Sequence, residues 1–171
     1  MAACLLAAYF LTQVGLRAGQ RVLIYGASGA IGTSAVQLAS DIGADVTGVC
    51  SATNTELVRS LGATAVIDYT SESFTDRNER YDVIFDAVGK RKSREAMRHS
   101  AKSLVPNGKC ISVDSGTPGL RRETLADLRQ QCESGVLRPV IDQCYPLQQI
   151  VEAHRYVDRG HKRGNVVMTV S

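Results

Sequence analysis

Residues 21–32, RVLIYGASGAIG, decide the fold of this chain. The opening five residues read as a short buried strand. The glycines that follow make a tight turn, and Ala35, Val36, Leu38, Ala39 and Ile42 then recur at helical spacing. Strand, glycine turn and helix in that order form the entrance to a dinucleotide site. Gly29 lets the backbone approach a pyrophosphate and Gly32 lets the helix pack closely on the strand. The amides of Ala30 and Ile31, with Ser28 in the turn before them, open the helix toward an anion. Ala27 stands where the motif usually has its first glycine. A turn of purely structural glycines is the competing reading; its place at the head of a β-α-β series favours the nucleotide.

Downstream, residues 45–50 (DVTGVC), 65–68 (AVID), 82–86 (DVIFD) and 109–113 (KCISV) read as four further strands, with helices predicted over 55–61 and 93–104. Alternation at this spacing gives parallel β-α-β units with right-handed crossovers, in the order 3-2-1-4-5. Gly43 and Gly62 follow helices where a left-handed cap is wanted, and residues 106–108 (PNG) are turn chemistry before the fifth strand. From Thr117 the rhythm stops. A helix is predicted over 123–134, an extended or edge segment over 137–141 because of Pro139, a helix over 148–157 and a terminal strand over 165–170. The expected fold is α/β, a doubly wound parallel sheet with an extra C-terminal helix and strand. Residues 1–19 are an N-terminal helix and lead-in, 20–137 the nucleotide-binding domain and 138–171 a C-terminal segment.

An NAD site places an Asp or Glu at the end of the second strand to accept from the ribose 2′-hydroxyl. Here that place holds Cys50, Ser51, Ala52, Thr53 and Asn54. A carboxylate would repel a 2′-phosphate, whereas hydroxyls and an amide can donate to it, so the expected cofactor is NADP(H). The same polar residues also suit a helix N-cap, and the two roles are compatible. Residues 86–89 (DAVG) and 113–116 (VDSG) end two more strands at the same crevice, which brings Ala87, Val88 and Val113 to the nicotinamide side. Each is equally readable as an ordinary strand exit.

Composition sets limits on the rest. With 44% hydrophobic and 22% charged residues, the chain is a globular domain that is neither disordered nor membrane-embedded. Its formal charge of +3 comes without a basic stripe interleaved with aromatics, so nucleic acid is not an expected partner. Cys4, Cys50, Cys110, Cys132 and Cys144 make an odd set without a C-x-x-C pair, which suits a reducing cytoplasm. The uncharged run of residues 1–14 is shorter than the roughly 20 residues a spanning helix needs. His99, His154 and His161 lack partners at ligand spacing, and no metal is expected. Ser28 is not in a G-x-S-x-G elbow, no G-x-x-x-x-G-K-[ST] loop occurs, and no tyrosine has a lysine four residues on. Hydrolase, triphosphatase and short-chain dehydrogenase readings therefore fail. No residue stands out as an acid or base, so a catalytic role is assigned to none.

Four stretches carry a resemblance: RVLIYGASGAIGTSAVQLAS, VTGVCSATNTELVRSLGATAVIDYT, YDVIFDAVGK and VIDQCYPLQQIVEAHRYVDRGHKRGNVVMTV. Together they resemble the zinc-independent, quinone-reductase-like branch of the medium-chain dehydrogenase/reductase superfamily, almost end to end. Quinone reductases, enoyl reductases and alcohol dehydrogenases share most of these motifs. The resemblance implies a Rossmann-type sheet, with Ser51, Asn54 and Tyr69 around the adenosine 2′-phosphate, Ala87 and Val88 on the nicotinamide side, and Arg163 and Asn165 near the cofactor. It implies hydride transfer between NADP(H) and a quinone or α,β-unsaturated carbonyl; the alternative is a module that holds NADP(H) without turnover. Relatives often carry Lys or Arg where Asn54 stands. In the superfamily a GroES-like domain, mostly N-terminal, supplies the substrate pocket, and residues from about Arg138 match the part that returns to complete it. Packing on the N-terminal helix, self-association and loose order are all open to that tail, and a homodimer or a separate catalytic domain is the partner to expect.

Overall fold

The computed structural model describes residues 2–116, 119, 122–160 and 162–170. Five parallel strands form the main sheet in the order β3-β2-β1-β4-β5: β1 (Arg21–Tyr25), β2 (Asp45–Cys50), β3 (Ala65–Asp68), β4 (Tyr81–Asp86) and β5 (Leu104–Ser112). The central strand shows why residues 21–25 decide the fold. Val22, Leu23 and Ile24 are all fully buried, because side chains alternate between two faces that are both covered. Val22 and Ile24 join the larger core with Phe10, Val36 and Phe85; Leu23 joins the smaller one with Val49, Ile67, Phe74, Tyr81 and Ile84.

Helices α1 (Ala2–Val14) and α2 (Ala30–Asp41) cover the larger face. The uncharged N-terminal run is thus a core helix: Cys4, Ala7, Phe10, Leu11 and Val14 are buried, and the Phe10 and Phe85 rings lie 5.8 Å apart. None of the described helices is long and apolar enough to cross a membrane. Helix α3 (Thr55–Ser60) precedes β3, and Val58 fills the space that Gly48 leaves over β2.

Two expectations along this part need correction. The helix read over 93–104 is α4 (Lys90–Met97), followed by a separate 3-10 turn at Ser100–Ser103. The PNG turn does not precede the fifth strand; it lies inside it. Pairing runs Tyr81 with Leu104 and then Val83 with Lys109, and Asn107 takes φ 65° in the bulge between. A bulge, a proline without an N–H and the exposed Lys109 together blunt this edge of the sheet.

The C-terminal part differs most from its sequence reading. After α5 (Arg122–Glu133), residues 137–140 form no strand, and Leu137 is buried as an anchor in the larger core. Strand β6 (Ile141–Pro146), helix α6 (Ile150–Asp158) and strand β7 (Asn165–Thr169) then make a second parallel β-α-β unit, so the rhythm thought lost resumes. The tail docks on the glycine turn and α2, an arrangement not among those expected from the sequence. The Gln37 side chain donates to the Arg138 carbonyl at 3.0 Å and accepts from the Arg138 amide at 2.8 Å. The Gly164 amide donates to the Ser28 carbonyl at 2.8 Å, and Gly29 and Gly164 form a parallel bridge.

Because Gln37 is buried and completes both backbone groups of Arg138, Gln37→Leu should leave them unpaired. The expected loss is about 2 kcal/mol, seen as a thermal midpoint lower by roughly 4–8 °C. A midpoint unchanged within 1–2 °C, roughly the shift of 0.5 kcal/mol, would show that the tail is held elsewhere.

Candidate cofactor site

The carboxyl ends of β1, β2 and β4 open onto one cleft, and the glycine turn lies at its centre. Gly26 sits at φ 80°, and an added Cβ there would run into the Val88 side chain. Gly32 is tighter: its Cβ would fall within the Gly26 carbonyl and 2.8 Å from Ala27 Cα. This contact is what brings α2 against β1. Gly29, by contrast, has extended backbone and only the Gly26 oxygen at 3.4 Å, so its open side faces the cleft. Gly29 caps α2 without a side-chain hydrogen bond. The first-turn amides at Ala30 and Ile31 have no helical carbonyl upstream and stand available to an anion.

Two adjoining cavities share Ser28, Tyr69, Gly160 and Lys162. The one over the turn, about 400 Å³, brings together Gly29, Ala30, Ile31, Ala87, Val88 and Tyr25. The other, about 280 Å³, lies at the end of β2 between Ser51, Thr53 and Asn54 on one wall and Arg163 on the other. Among the described residues no Asp or Glu lines either. Asn54 donates to Ser51 Oγ at 3.1 Å and to Ser28 Oγ at 3.3 Å. Its Oδ1 is a buried acceptor with no donor among the described residues, and a ribose hydroxyl can supply one. This orphan and the open backbone at Gly29 are the two features that fit a nucleotide here.

The strand end after β4 is fixed from below. Asp86 is 1% exposed and accepts four hydrogen bonds: from the amides of Val88 (3.1 Å) and Gly89 (3.2 Å) and the hydroxyls of Ser93 (2.6 Å) and Ser112 (2.8 Å). Asp114 accepts from the Lys90 amide at 2.7 Å and so caps α4. Burial, with Tyr69 and Asp86 nearby, raises the Tyr25 pKa, and the Cys50 thiol is pushed up to about 11 by burial beside Asp68. Neither group is primed to give or take a proton near neutrality.

Of the residues read from sequence, Ser28, Gly29, Ala30, Ile31, Ser51, Asn54, Tyr69, Ala87, Val88 and Arg163 line this cleft. Gly32 is buried beneath it. Two others are placed differently. Val113 follows the end of β5 and packs its side chain on the larger core with Ile111. Asn165 turns inward, its side chain and amide both donating to the Val140 carbonyl. Lys162, which lines both cavities, and Lys92, at the edge of the larger, were not singled out by their sequence context. Among the described residues no group of three or more His, Cys, Asp or Glu is placed to hold a metal ion; His161 lies outside them.

Two family models, both described as zinc-binding dehydrogenase, match residues 30–131 and 112–168. A chloroplastic NADPH-dependent alkenal/one oxidoreductase of Arabidopsis thaliana is 31% identical over 170 residues, covering 92% of this chain and 42% of that protein. A 2-methylene-furan-3-one reductase of Solanum lycopersicum is 34% identical over 171 residues, with the same 92% and 42% coverage. This chain thus spans less than half the length of either. The quinone oxidoreductase of Coxiella burnetii superposes with a TM-score of 0.83 at 24% identity, over 99% of this chain and 58% of that one. At that identity the likeness is one of fold.

Proposed function

Because the chain belongs to the zinc-binding dehydrogenase family, we propose that it is the cofactor-holding part of an NADPH-dependent oxidoreductase that transfers a hydride between NADP(H) and a quinone or α,β-unsaturated carbonyl. The observation carrying this reading is the make-up of the cleft. An open helix N-terminus and a bare glycine backbone suit a pyrophosphate, and the pocket at the end of β2 offers hydroxyls, an amide and two cations without a carboxylate. When bound, NADPH supplies the hydride; the protein orients the cofactor and keeps water away. The Ala30 and Ile31 amides take the pyrophosphate, Ser51, Asn54 and Tyr69 the 2′-phosphate end, and Ala87 and Val88 flank the nicotinamide ribose and ring.

The family description names zinc, but the described donor set forms no site for it, and the reading uses none. The substrate pocket belongs to a further domain or a second copy in this reading. The apolar residues exposed on the C-terminal unit, Ile141, Leu147, Ile150 and Val151, are surface for such a partner. The five free cysteines suit a reducing compartment, for which we propose the cytoplasm.

A calorimetric titration of the chain with NADPH and, separately, NADH tests the reading. Micromolar binding of NADPH, about −8 kcal/mol, with NADH much weaker is the expected result; binding of neither would end the cofactor assignment. A second reading, a module that holds NADP(H) without turnover, is favoured by the absence of Asp and Glu from the cleft lining among the described residues. NADPH binding without quinone-dependent oxidation by the full-length protein would select it.

A further inference from the structure

The pocket at the end of β2 has two walls that come from opposite ends of the chain. The wall formed by Ser51, Thr53 and Asn54 is uncharged, and its polar groups already bond to one another: Asn54 donates to Ser51, and the Ser51 and Thr53 hydroxyls lie 3.1 Å apart. The positive charge comes from the opposite wall, from Lys162 and Arg163 just before β7. That wall is placed by backbone contacts. The Gly164 amide is tied to the Ser28 carbonyl, and Gly164 itself sits at φ 65° with no room for a Cβ, which would come within 2.7 Å of the Val140 side chain.

The two cations differ in what they do. Arg163 is exposed, and its amide is bonded to Asp142 at 3.0 Å. Lys162 is half-buried and lines both cavities, and its Nζ donates to the Gly164 carbonyl at 2.6 Å. An ammonium has three donors, and among the described residues its one acceptor, a neutral carbonyl, is a poor exchange for water. Asp142 is the acid that acts on it, but that carboxylate is already taken by the Tyr156 hydroxyl at 2.5 Å and the Arg163 amide. Burial accordingly holds the Lys162 pKa below the ordinary lysine value. A partly desolvated cation with spare donors, facing a ring of hydroxyls, is poised for an anion.

We infer that Lys162 is the residue that reads the 2′-phosphate of NADP(H), its ammonium pairing with the phosphate across the pocket from Ser51 and Asn54. The C-terminal β-α-β unit thereby sets cofactor choice, and the β2 side supplies only neutral donors. The inference rests on the proposed NADP(H) site.

Adenosine 2′,5′-bisphosphate and adenosine 5′-monophosphate are the probes, because they differ only in the 2′-phosphate and need no substrate domain. Isothermal titration of the unaltered chain should give tighter binding of the bisphosphate. In Lys162→Met that preference should fall by at least about tenfold with monophosphate affinity unchanged, one charge-assisted hydrogen bond being lost. Lys162→Arg should keep most of it. Retention of the full preference by Lys162→Met would overturn the inference while leaving the NADP(H) site standing. An equal loss for both probes would also overturn it, since Lys162 would then be closing the cleft without reading the phosphate. Failure of the unaltered chain to bind either probe would overturn the site and the inference together.

Discussion

A Gly29→Ala protein should fold as well as the parent yet bind NADPH at least about a hundredfold more weakly, whereas Gly32→Ala should be strongly destabilised. The two substitutions add the same methyl three residues apart, and the structure gives them different surroundings. At Gly29 the backbone is extended, a conformation any residue adopts, and the nearest atom to an added Cβ is the Gly26 oxygen at 3.4 Å. The methyl would project where a pyrophosphate must come within hydrogen-bonding distance of the Ala30 and Ile31 amides. Loss of the two charge-assisted amide bonds to the pyrophosphate costs on the order of a hundredfold or more in affinity. At Gly32 the Cβ has no free space at all, with Ala27 Cα at 2.8 Å and the Gly26 carbonyl closer still. Both neighbours are backbone, so α2 must lift off β1, at a cost of about 3 kcal/mol or more. Thermal unfolding and NADPH titration of the pair separate the roles. Equal behaviour of the two variants in both assays would refute the assignment of one glycine to the ligand and the other to packing.

The middle of the main sheet was legible in the sequence because β1, β2 and β4 are buried on both faces. Val22, Leu23 and Ile24 have no polar alternation to blur them, and the glycine turn marks where β1 ends. Strand β6 was missed for the opposite reason. IDQCYP is largely exposed, pairs with β7 alone, and offers neither an apolar run nor alternation to read. The apolar residues at its edge, Leu137, Val140 and Ile141, drew the reading of an edge strand or extended segment, although Leu137 serves as an anchor into the larger core. Val113 was misplaced through side-chain parity. Residues two apart share a face, so Val113 follows Ile111 onto the α1 and α2 side, away from the cleft. Lys162 could not have been found locally. Its role depends on a backbone contact between Gly164 and Ser28, which no nearby sequence pattern encodes.

Asp86→Ala should remove about 3–5 kcal/mol of stability, while Asp86→Asn should cost only about 1 kcal/mol. The carboxylate lies at the buried end of β4, between β1 and β5; Lys90, Arg94 and Arg98 line the cavity beside it, but none of them makes an ion pair with it. It is held by two amides on Oδ1 and two serine hydroxyls on Oδ2. Alanine would leave all four donors without their acceptor. Asparagine can keep the arrangement: its oxygen accepts from Val88 and Gly89 as before, and the Ser93 and Ser112 hydroxyls rotate to accept from its amide nitrogen. For a chain of this size the alanine loss is a thermal midpoint lower by roughly 6–20 °C. Binding should follow the same order, because these four bonds hold Ala87 and Val88 at the cleft wall and bring Val88 over the bare backbone of Gly26. The alanine variant should therefore lose NADPH affinity even at temperatures where it remains folded, and the asparagine variant should keep it. If both variants unfold near the parent's midpoint, Asp86 is not what fixes this strand end. If asparagine proves as damaging as alanine, the negative charge itself matters, and the account in terms of hydrogen-bond satisfaction fails.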